Sequence, residues 1–391
     1  MSGTATKAEE PPGGGSGASE LLKVLVVGDV MLGRLVDQIF PTHNEEPENR
    51  LHAQTLLTRD PQSLNQYHSL GPYRYVWGDT LPLFHDADLR LANLETSLTD
   101  HPEKWPRQAF NFRAHPDNVR ALQEARIDFL SLANNHILDF KEAGMHETQR
   151  TLDAAGIRWA GAGDNLEDAA RPAMLQLSDK RVACFSLSDH FDYWAAGPDR
   201  PGIWLVDPGR HRGAPLDFIC RQTVRAREEG GADMVFVSIH WGPNWGWKPS
   251  PGIRQLAHDL VDTCGVNLVH GTSAHHIQGI EHYGGAVVLY GCGDFVDDYA
   301  VDESFRSNLS FAYVLHWDPD AATWHHVELV PTKIRNLGVT RAVDEDDREW
   351  LARALAKLSE EYGTRVEKHP EGEGRLLINL TDKARARAAG S

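Results

Sequence analysis

The sequence predicts an α/β fold in which layered β-sheets are flanked by helices, and three observations support this prediction. Short runs rich in Val, Leu and Ile alternate along the chain with stretches of helical periodicity. These runs are apolar at consecutive positions, as expected for strands that are buried on both faces between helices. Nearly every run ends at a polar residue, which places functional side chains in the loops that follow the strands.

The elements are predicted in chain order as follows. Residues 1–20 are rich in Gly, Ser, Pro and Glu and are expected to be a disordered tail. Strands are predicted at LLKVLVVGD (21–29), ADLRLANLE (87–95), IDFLSLANNH (127–136), RVACFSLSD (181–189), DMVFVSIHWG (233–242), VNLVHG (266–271) and AVVLYGCGD (286–294). Helices are expected around 116–126, 142–155, 165–171, 217–229 and 252–264.

Two regions depart from this alternation. Residues 41–75 contain Pro, His and Asn without clear periodicity, and they are predicted to form a long excursion near the site entrance. Residues 336–391 contain the helical segment DREWLARALAKLSEEYG and are expected to form a C-terminal helical extension. The sequence therefore predicts one catalytic domain at 21–335, with this extension packed on it.

Charge and cysteine content exclude several classes of protein. The chain has 39 Lys and Arg against 56 Asp and Glu, a net charge of −17, which argues against nucleic acid or an anionic membrane as a partner. Cys184, Cys220, Cys264 and Cys292 are widely spaced without a C-x-x-C pair and are expected to be reduced core residues. No signal peptide or membrane-spanning run is apparent, so a cytoplasmic location is predicted.

Chemically active side chains recur at the predicted strand ends. Asp29 follows the first strand in VLVVGDVMLGR, and Glu95 follows the second in ANLE. Asn134, His136 and Asp139 cluster after the third strand in LANNHILD. A single residue of this kind is equally well explained as a cap or a hydrogen-bonded core residue, but repetition at successive strand ends indicates a shared site.

Histidines at two further strand ends indicate a metal site. His240 ends the strand in SIHWG, and His275 and His276 lie in VHGTSAHHIQGIE. Carboxylate and amide oxygens with imidazole nitrogen suit a divalent cation, whereas these loops contain no thiolate. We expect a divalent ion at this site. In the adjacent loop, HWGPNWGWKP, Trp241 and Trp245 could hold an aromatic or peptide substrate or could simply pack over the core.

In order along the chain, GDVMLGR, ANLE, ANNHILD, HWG, GTSAHHIQGIE and YGCGDFVDD resemble the motif series of the CapA family of poly-γ-glutamate capsule-synthesis proteins. The resemblance covers about residues 22–300 and implies a calcineurin-like metallophosphatase fold. It also implies a set of metal-site positions, which are Asp29, Glu95, Asn134, His240 and His275.

The resemblance also places a catalytic histidine at His136, which Asp139 would orient. Two departures from the family pattern alter the site. Ser273 stands where relatives have a histidine, and Asp294 stands where they have an asparagine. Losing an imidazole and gaining an acid favours one hard ion over a tight two-metal centre, with Ca²⁺ favoured over Mn²⁺, Mg²⁺ or Zn²⁺. The change also suggests a second His–Asp pair, made by Asp294 with His275 or His276.

These features resemble soluble CapA-like lasso-peptide epimerases, which invert the C-terminal Trp of a ribosomal precursor peptide. The resemblance implies that His/Asp pairs exchange the Cα proton of that peptide, with Arg34 or Arg113 near its carboxylate. Two alternatives remain open, a metallophosphoesterase and a CapA-type protein of poly-γ-glutamate synthesis. A non-catalytic member that binds a peptide or a glutamate polymer is a third.

Overall fold

The computed structural model describes residues 19–341 and 344–381, so nearly all of the predicted tail at 1–20 and the end of the predicted extension lie outside the described residues. The helices predicted from periodicity are present. Their bounds are α1 Arg34–Asp37, α2 Pro47–Arg59, α3 Pro61–Leu70, α4 Pro72–Tyr75, α5 Leu81–Asp86, α6 Val119–Glu124, α7 Lys141–Ala155, α8 Leu166–Ala169, α9 Ala214–Glu228, α10 Pro251–Asp262 and α11 Glu345–Glu360, with short 3₁₀ turns at Gly78–Thr80, Pro116–Asn118 and Asp192–Trp194.

The predicted strands are also present, together with shorter ones that the sequence did not reveal. Their bounds are β1 Leu22–Val30, β2 Leu89–Leu94, β3 Ser97–Leu98, β4 Arg113–Ala114, β5 Phe129–Ser131, β6 Arg158–Ala160, β7 Ala162–Gly163, β8 Ala173–Leu177, β9 Lys180–Ser188, β10 Gly202–Ile203, β11 Met234–His240, β12 Leu268–Thr272, β13 Ile280–Tyr283, β14 Ala286–Leu289, β15 Asp294–Val296, β16 Leu309–Asp318, β17 Thr323–Arg335, β18 Gly338–Arg341, β19 Glu367–Lys368 and β20 Leu376–Asn379.

Two large sheets are packed face to face between layers of helices. The larger has the order β19-β20-β17-β16-β1-β2-β5-β6, with β15 paired to β1 and β18 paired to β17. The smaller has the order β13-β14-β12-β11-β9-β8. This arrangement confirms the predicted α/β class with layered sheets.

Side-chain alternation explains why the central strands are apolar at every position. In β1, Val24 and Val26 belong to the core between the sheets, whereas Leu25 and Val27 pack on the opposite face in the core that the flanking helices cover. Phe236 of β11 likewise contributes to the core between the sheets. Because successive side chains of a strand point to opposite faces, strands covered on both sides must be apolar throughout.

Parallel pairing brings the polar strand ends together. β1 runs parallel to β2, with Asp29 opposite Asn93, and it also runs parallel to β15, with Asp29 opposite Asp294. In the smaller sheet β11 runs parallel to β12, with His240 opposite Thr272. Since parallel strands end at the same edge, the residues that follow them gather at one edge of the two-sheet sandwich.

Two expectations about the polypeptide were wrong. Cys220 and Cys264 are joined by a disulfide between α9 and the end of α10, where their Cα atoms are 4.5 Å apart. Their separation of 44 residues gave no signal of this pairing, because two helices pack as neighbours only in the tertiary structure. Cys184 and Cys292 are free and buried, as expected.

Residues 41–75 form helices α2, α3 and α4 rather than an irregular excursion. Each helix begins at a proline, a residue favoured at the first helical position.

The C-terminal region contributes strands as well as the expected helix α11. β18 and β20 both pair with β17, which extends the larger sheet. The pairing of β18 and β20 with β17 explains why this region packs on the main domain. The predicted domain boundary at residue 336 stays a prediction. Across the described residues, no helix combines the length and apolarity needed to span a bilayer.

Candidate metal centre

Buried acids and histidines converge at the edge where the parallel strands end. Asp29 lies in β1, Glu95 directly follows β2, and His240 is the last residue of β11. His275 lies in the loop after β12, and Asp294 begins β15. All five are buried. The structure therefore brings together side chains that lie far apart in the sequence.

The five side chains form two groups that share Asp29. Asp29, Glu95 and His240 form one group, and Asp29, His275 and Asp294 form the other, with the ligand atoms of each group within 4.8 Å of one another. Glu95 Oε2 lies 3.5 Å from His240 Nδ1, and Asp29 Oδ2 lies 3.7 Å from His275 Nδ1. Each group offers two carboxylates and one imidazole, a donor set that suits a divalent cation.

The electrostatics of the cluster also favour a cation. Burial raises the pKa of Asp29 to about 6, and it raises the pKa values of Glu95 and Asp294 well above their usual range. Burial also lowers the pKa of His240 well below its usual value and lowers that of His275, so neither imidazole is well placed to carry a compensating charge. Oδ2 of Asp29, Oε1 of Glu95 and Oδ2 of Asp294 are buried without a hydrogen-bond partner. Such oxygens are expected where a metal ion is bound, so the residues fit the predicted cofactor.

Two asparagines hold the carboxylates in place. Asn93 Nδ2 donates to Asp29 Oδ1 at 2.7 Å and to Glu95 Oε2 at 2.6 Å. Asn134 Nδ2 donates to Asn93 Oδ1 at 3.1 Å, and Asn134 Oδ1 accepts from the backbone N–H of His136 at 3.0 Å. In this geometry the Asn134 oxygen is already engaged, so Asn134 positions the cluster, and its predicted role as a metal ligand stays a prediction.

His136 and Asp139 form the expected pair. His136 Nδ1 donates to Asp139 Oδ2 at 2.7 Å, and that oxygen also accepts from the Phe112 backbone N–H at 2.6 Å. The Phe112 ring stacks on the His136 ring with centroids 4.1 Å apart, which fixes the plane of the imidazole. His136 Nε2 lies 3.9 Å from Glu95 Oε1 and therefore faces the cluster.

The second pair involves His275 and not His276. His275 Nδ1 donates to Asp294 Oδ1 at 2.8 Å. His276 Nδ1 is bonded to the Ile277 carbonyl at 3.0 Å, and its ring packs among aromatic side chains, so its predicted catalytic role has no support in this geometry and stays a prediction. The turn between the two histidines depends on backbone geometry, since His275 adopts a positive φ of 56° that sequence patterns do not reveal. Ser273 donates from Oγ to the Gly242 carbonyl at 3.0 Å.

A cleft of about 440 Å³ opens above the cluster, which is a typical volume for a ligand site. Of the four predicted substrate residues, Arg34 and Trp245 line it. Arg113 lies outside the lining and bonds the His101 carbonyl, and Trp241 is buried with Nε1 bonded to the Tyr290 carbonyl. The geometry therefore gives no support to substrate binding by Arg113 or Trp241, and both roles stay predictions. No residue from 41–75 lines the cleft, and the predicted position of this segment near the site entrance stays a prediction.

The cleft contains residues that sequence reasoning missed. His190 lies 5.6 Å from His240, ring centroid to ring centroid, and Tyr299 lies 5.1 Å from His275 in the same way. His190 follows β9 in SLSDH, so the strand-end rule could have found it. Phe110 and Phe191 add aromatic side chains to the lining; Phe191 directly follows His190, whereas Phe110 follows no predicted strand.

Comparison with known proteins agrees with this site. The chain matches the family of bacterial capsule synthesis proteins, PGA_cap, over residues 23–299. It belongs to this family. The match covers every member of the buried cluster, and it confirms the family inferred from the motif series.

Individual relatives extend the comparison. A probable polyglutamine synthesis accessory protein of Mycobacterium tuberculosis is 38% identical, over 94% of this chain and 100% of its own length. The capsule biosynthesis protein CapA of Bacillus anthracis is 28% identical over 72% of this chain and 61% of its own length. A phosphatase of Mycoplasma pneumoniae aligns over 80% of this chain and 93% of its own chain, with 11% identity and a TM-score of 0.43, a likeness too remote to inform activity.

Proposed function

We propose that this protein is a metal-dependent enzyme that acts on a peptide-type chain, in the synthesis of a glutamate polymer or a related peptide. The observation that carries the proposal is the buried carboxylate–imidazole cluster, with three unpartnered oxygens, at the floor of an open cleft. The names of two relatives, a probable polyglutamine synthesis accessory protein and a capsule biosynthesis protein, support a substrate built from amino-acid units, and the motif resemblance to poly-γ-glutamate proteins favours glutamyl units. A bound divalent ion would supply positive charge beside a substrate carbonyl or carboxylate.

The donor set bears on which ion is bound. Each group contains an imidazole nitrogen, from His240 or from His275. Ca²⁺ is bound by oxygen ligands, whereas imidazole suits transition metals and zinc. Mn²⁺ or Zn²⁺ therefore fits these side chains better than the Ca²⁺ expected from the sequence.

His136 is the proposed proton carrier. Its Nδ1 is held by Asp139, so Nε2 faces the cleft and can accept or release a proton while the carboxylate stabilises the charged ring. His275 is less free to act, because its Nδ1 cannot both coordinate an ion and donate a proton to Asp294. Aromatic side chains around the opening hold the chain and exclude water from the reacting atoms.

Exchange of the Cα proton of a C-terminal residue is a second candidate activity. It is favoured because two His–Asp pairs, His136 with Asp139 and His275 with Asp294, both place an imidazole in the same cleft. Trp245 lines that cleft and could pack against an aromatic terminal residue. Phosphoester hydrolysis is favoured by a different observation, since a carboxylate shared by two ligand groups is suited to a pair of ions.

One set of incubations separates these activities. The chelator-treated protein is incubated in D₂O with an oligoglutamate, a Trp-ended peptide or a nitrophenyl phosphodiester, each with and without Mn²⁺. Cleavage of the oligoglutamate, or lengthening of one chain by transfer of a segment from another, supports the first proposal. Deuterium at one Cα supports epimerisation, and nitrophenol release supports hydrolysis. The absence of metal-dependent change in all three substrates would contradict the assignment as an enzyme.

A matched pair of variants tests the proton carrier. His136→Asn should lower kcat by about 10²–10⁴-fold, the usual contribution of a general acid or base. His146→Asn is the control, because His146 forms a similar pair with Asp164 at 2.6 Å on the surface, outside the cleft. Equal losses in the two variants would rule out a specific role for His136.

A further inference from the structure

A second groove lies beside the cleft, between the loop that follows β11 and helix α11. Its volume is about 550 Å³, similar to that of the cleft. Two tryptophans, Trp247 and Trp350, form part of its wall. Lys248, Arg353 and Lys357 complete the polar part of the lining together with one serine. The family comparison and the metal centre leave this groove unexplained.

The charge of the groove contrasts with that of the whole protein. The chain carries a net charge of −17, yet the groove is lined by three cations and by no carboxylate. Lys248 pairs with Glu361, and Arg353 pairs with Glu349 at 2.9 Å across an exposed helix surface. Lys357 is exposed and has no ion pair within the part of the chain that the structure describes. The groove thus offers local positive potential to an anionic ligand.

Aromatic side chains connect the groove to the cleft. Trp245 lines the cleft, and its ring centroid lies 5.4 Å from that of Phe305. Phe305 lies 4.6 Å from Trp247, and Trp247 lies 6.2 Å from Trp350, both in the groove. An extended peptide advances roughly 3.3 Å per residue, so about five residues would cover this path. A chain reacting in the cleft can therefore continue into the groove.

We propose that the groove holds the acidic portion of the substrate chain whose reacting unit lies in the cleft. The lysines and arginine would pair with side-chain carboxylates, and the tryptophan faces would pack against methylene groups and peptide planes. This proposal rests on the proposed function and adds to it an acidic peptide of at least about six residues as the preferred substrate. Shorter chains would reach only the cleft.

Binding of labelled oligoglutamates tests the groove without any need for turnover. Fluorescence anisotropy at low salt should show that a ten-residue chain binds the full-length protein at least ten-fold more tightly than a three-residue chain. The double variant Arg353→Glu with Lys357→Glu should remove this advantage, and added salt should reduce it in the wild type. Arg225→Glu should keep the advantage, because Arg225 pairs with Glu229 in the same i,i+4 manner on α9, outside both the cleft and the groove.

Three outcomes would overturn the proposal. The first is equal affinity for the ten-residue and three-residue chains, and the second is an equal loss of the length advantage in the double variant and in Arg225→Glu. The third is that a single-stranded oligonucleotide with the same number of charges binds more tightly than the ten-residue chain. Trp350→Ala provides an independent check, since it should weaken binding of the ten-residue chain even at high salt. Turnover of the ten-residue and three-residue chains is measured in parallel with the other two substrates. Turnover without a length effect in binding refutes the groove alone, and a length effect in binding without turnover of any substrate refutes the enzymatic assignment alone.

Discussion

Replacing Asp29 with Asn should stabilise the metal-free protein while abolishing its stabilisation by metal. Asp29 is fully buried, and burial raises its pKa from 3.8 to about 6. At pH 7.5 the folded protein therefore loses about 3 kcal/mol by keeping this carboxyl ionised, at about 1.4 kcal/mol for each pKa unit. Asn preserves the oxygen that accepts from Asn93, so most of this energy should be recovered.

The expected shift in melting temperature follows from the length of the chain. For 391 residues the entropy of unfolding is about 0.8 kcal/mol per degree, so 3 kcal/mol corresponds to about 4 °C. In EDTA at pH 7.5, Asp29→Asn should melt about 4 °C above the wild type. With a divalent ion at 100 times its Kd, the wild type should gain about 2.7 kcal/mol, or about 3 °C, and the variant should gain nothing.

The pH dependence gives the sign of the effect. Because the folded-state pKa of Asp29 is raised, the penalty is absent below pH 3.8, grows as the pH rises and is complete above about 6. The advantage of the variant in EDTA should therefore fall to about half at pH 5. Differential scanning calorimetry at pH 5, 6 and 7.5 measures it. A variant that is less stable than the wild type in EDTA at every pH, or that retains the metal-dependent gain, would refute the reasoning.

Three further predictions concern positioning and stability. Asp139→Asn should lower kcat by about 10–100-fold, because Asp139 acts through His136. The metal-dependent shift in melting temperature should stay intact, and its loss together with the activity would contradict this role. Gly28→Ala places a Cβ 1.8 Å from the Gly293 carbonyl oxygen. It should therefore lower the free energy of unfolding, measured by urea titration, by about 1–3 kcal/mol and weaken metal binding. An unchanged free energy of unfolding and metal affinity would show that β15 can shift freely. Cys220→Ser opens a loop of 44 residues and should lower the free energy of unfolding by about 4 kcal/mol. Reducing the disulfide of the wild type should cause a similar loss, and the same reductant should cause no further loss in the variant.

The general position of the site was readable from the sequence because the strand-end pattern is local. An apolar run that ends in Asp, Glu or His specifies a buried strand and the residue at its end, and parallel pairing then brings these ends to one edge. Asp29, Glu95 and His240 were found in this way, and the structure places them within one ligand group. The cytoplasmic location and the identity of the peptide substrate remain predictions.

Only the tertiary structure decided which of two neighbouring side chains faces the cleft. His275 and His276 are adjacent in the sequence, yet a left-handed backbone at His275 turns one ring toward Asp294 and leaves the other among aromatic side chains. The disulfide between Cys220 and Cys264 was equally hidden, because it depends on how two helices pack. Sequence patterns report which positions are buried along one element, whereas the orientation of a loop and the contacts between elements arise from packing of the whole chain.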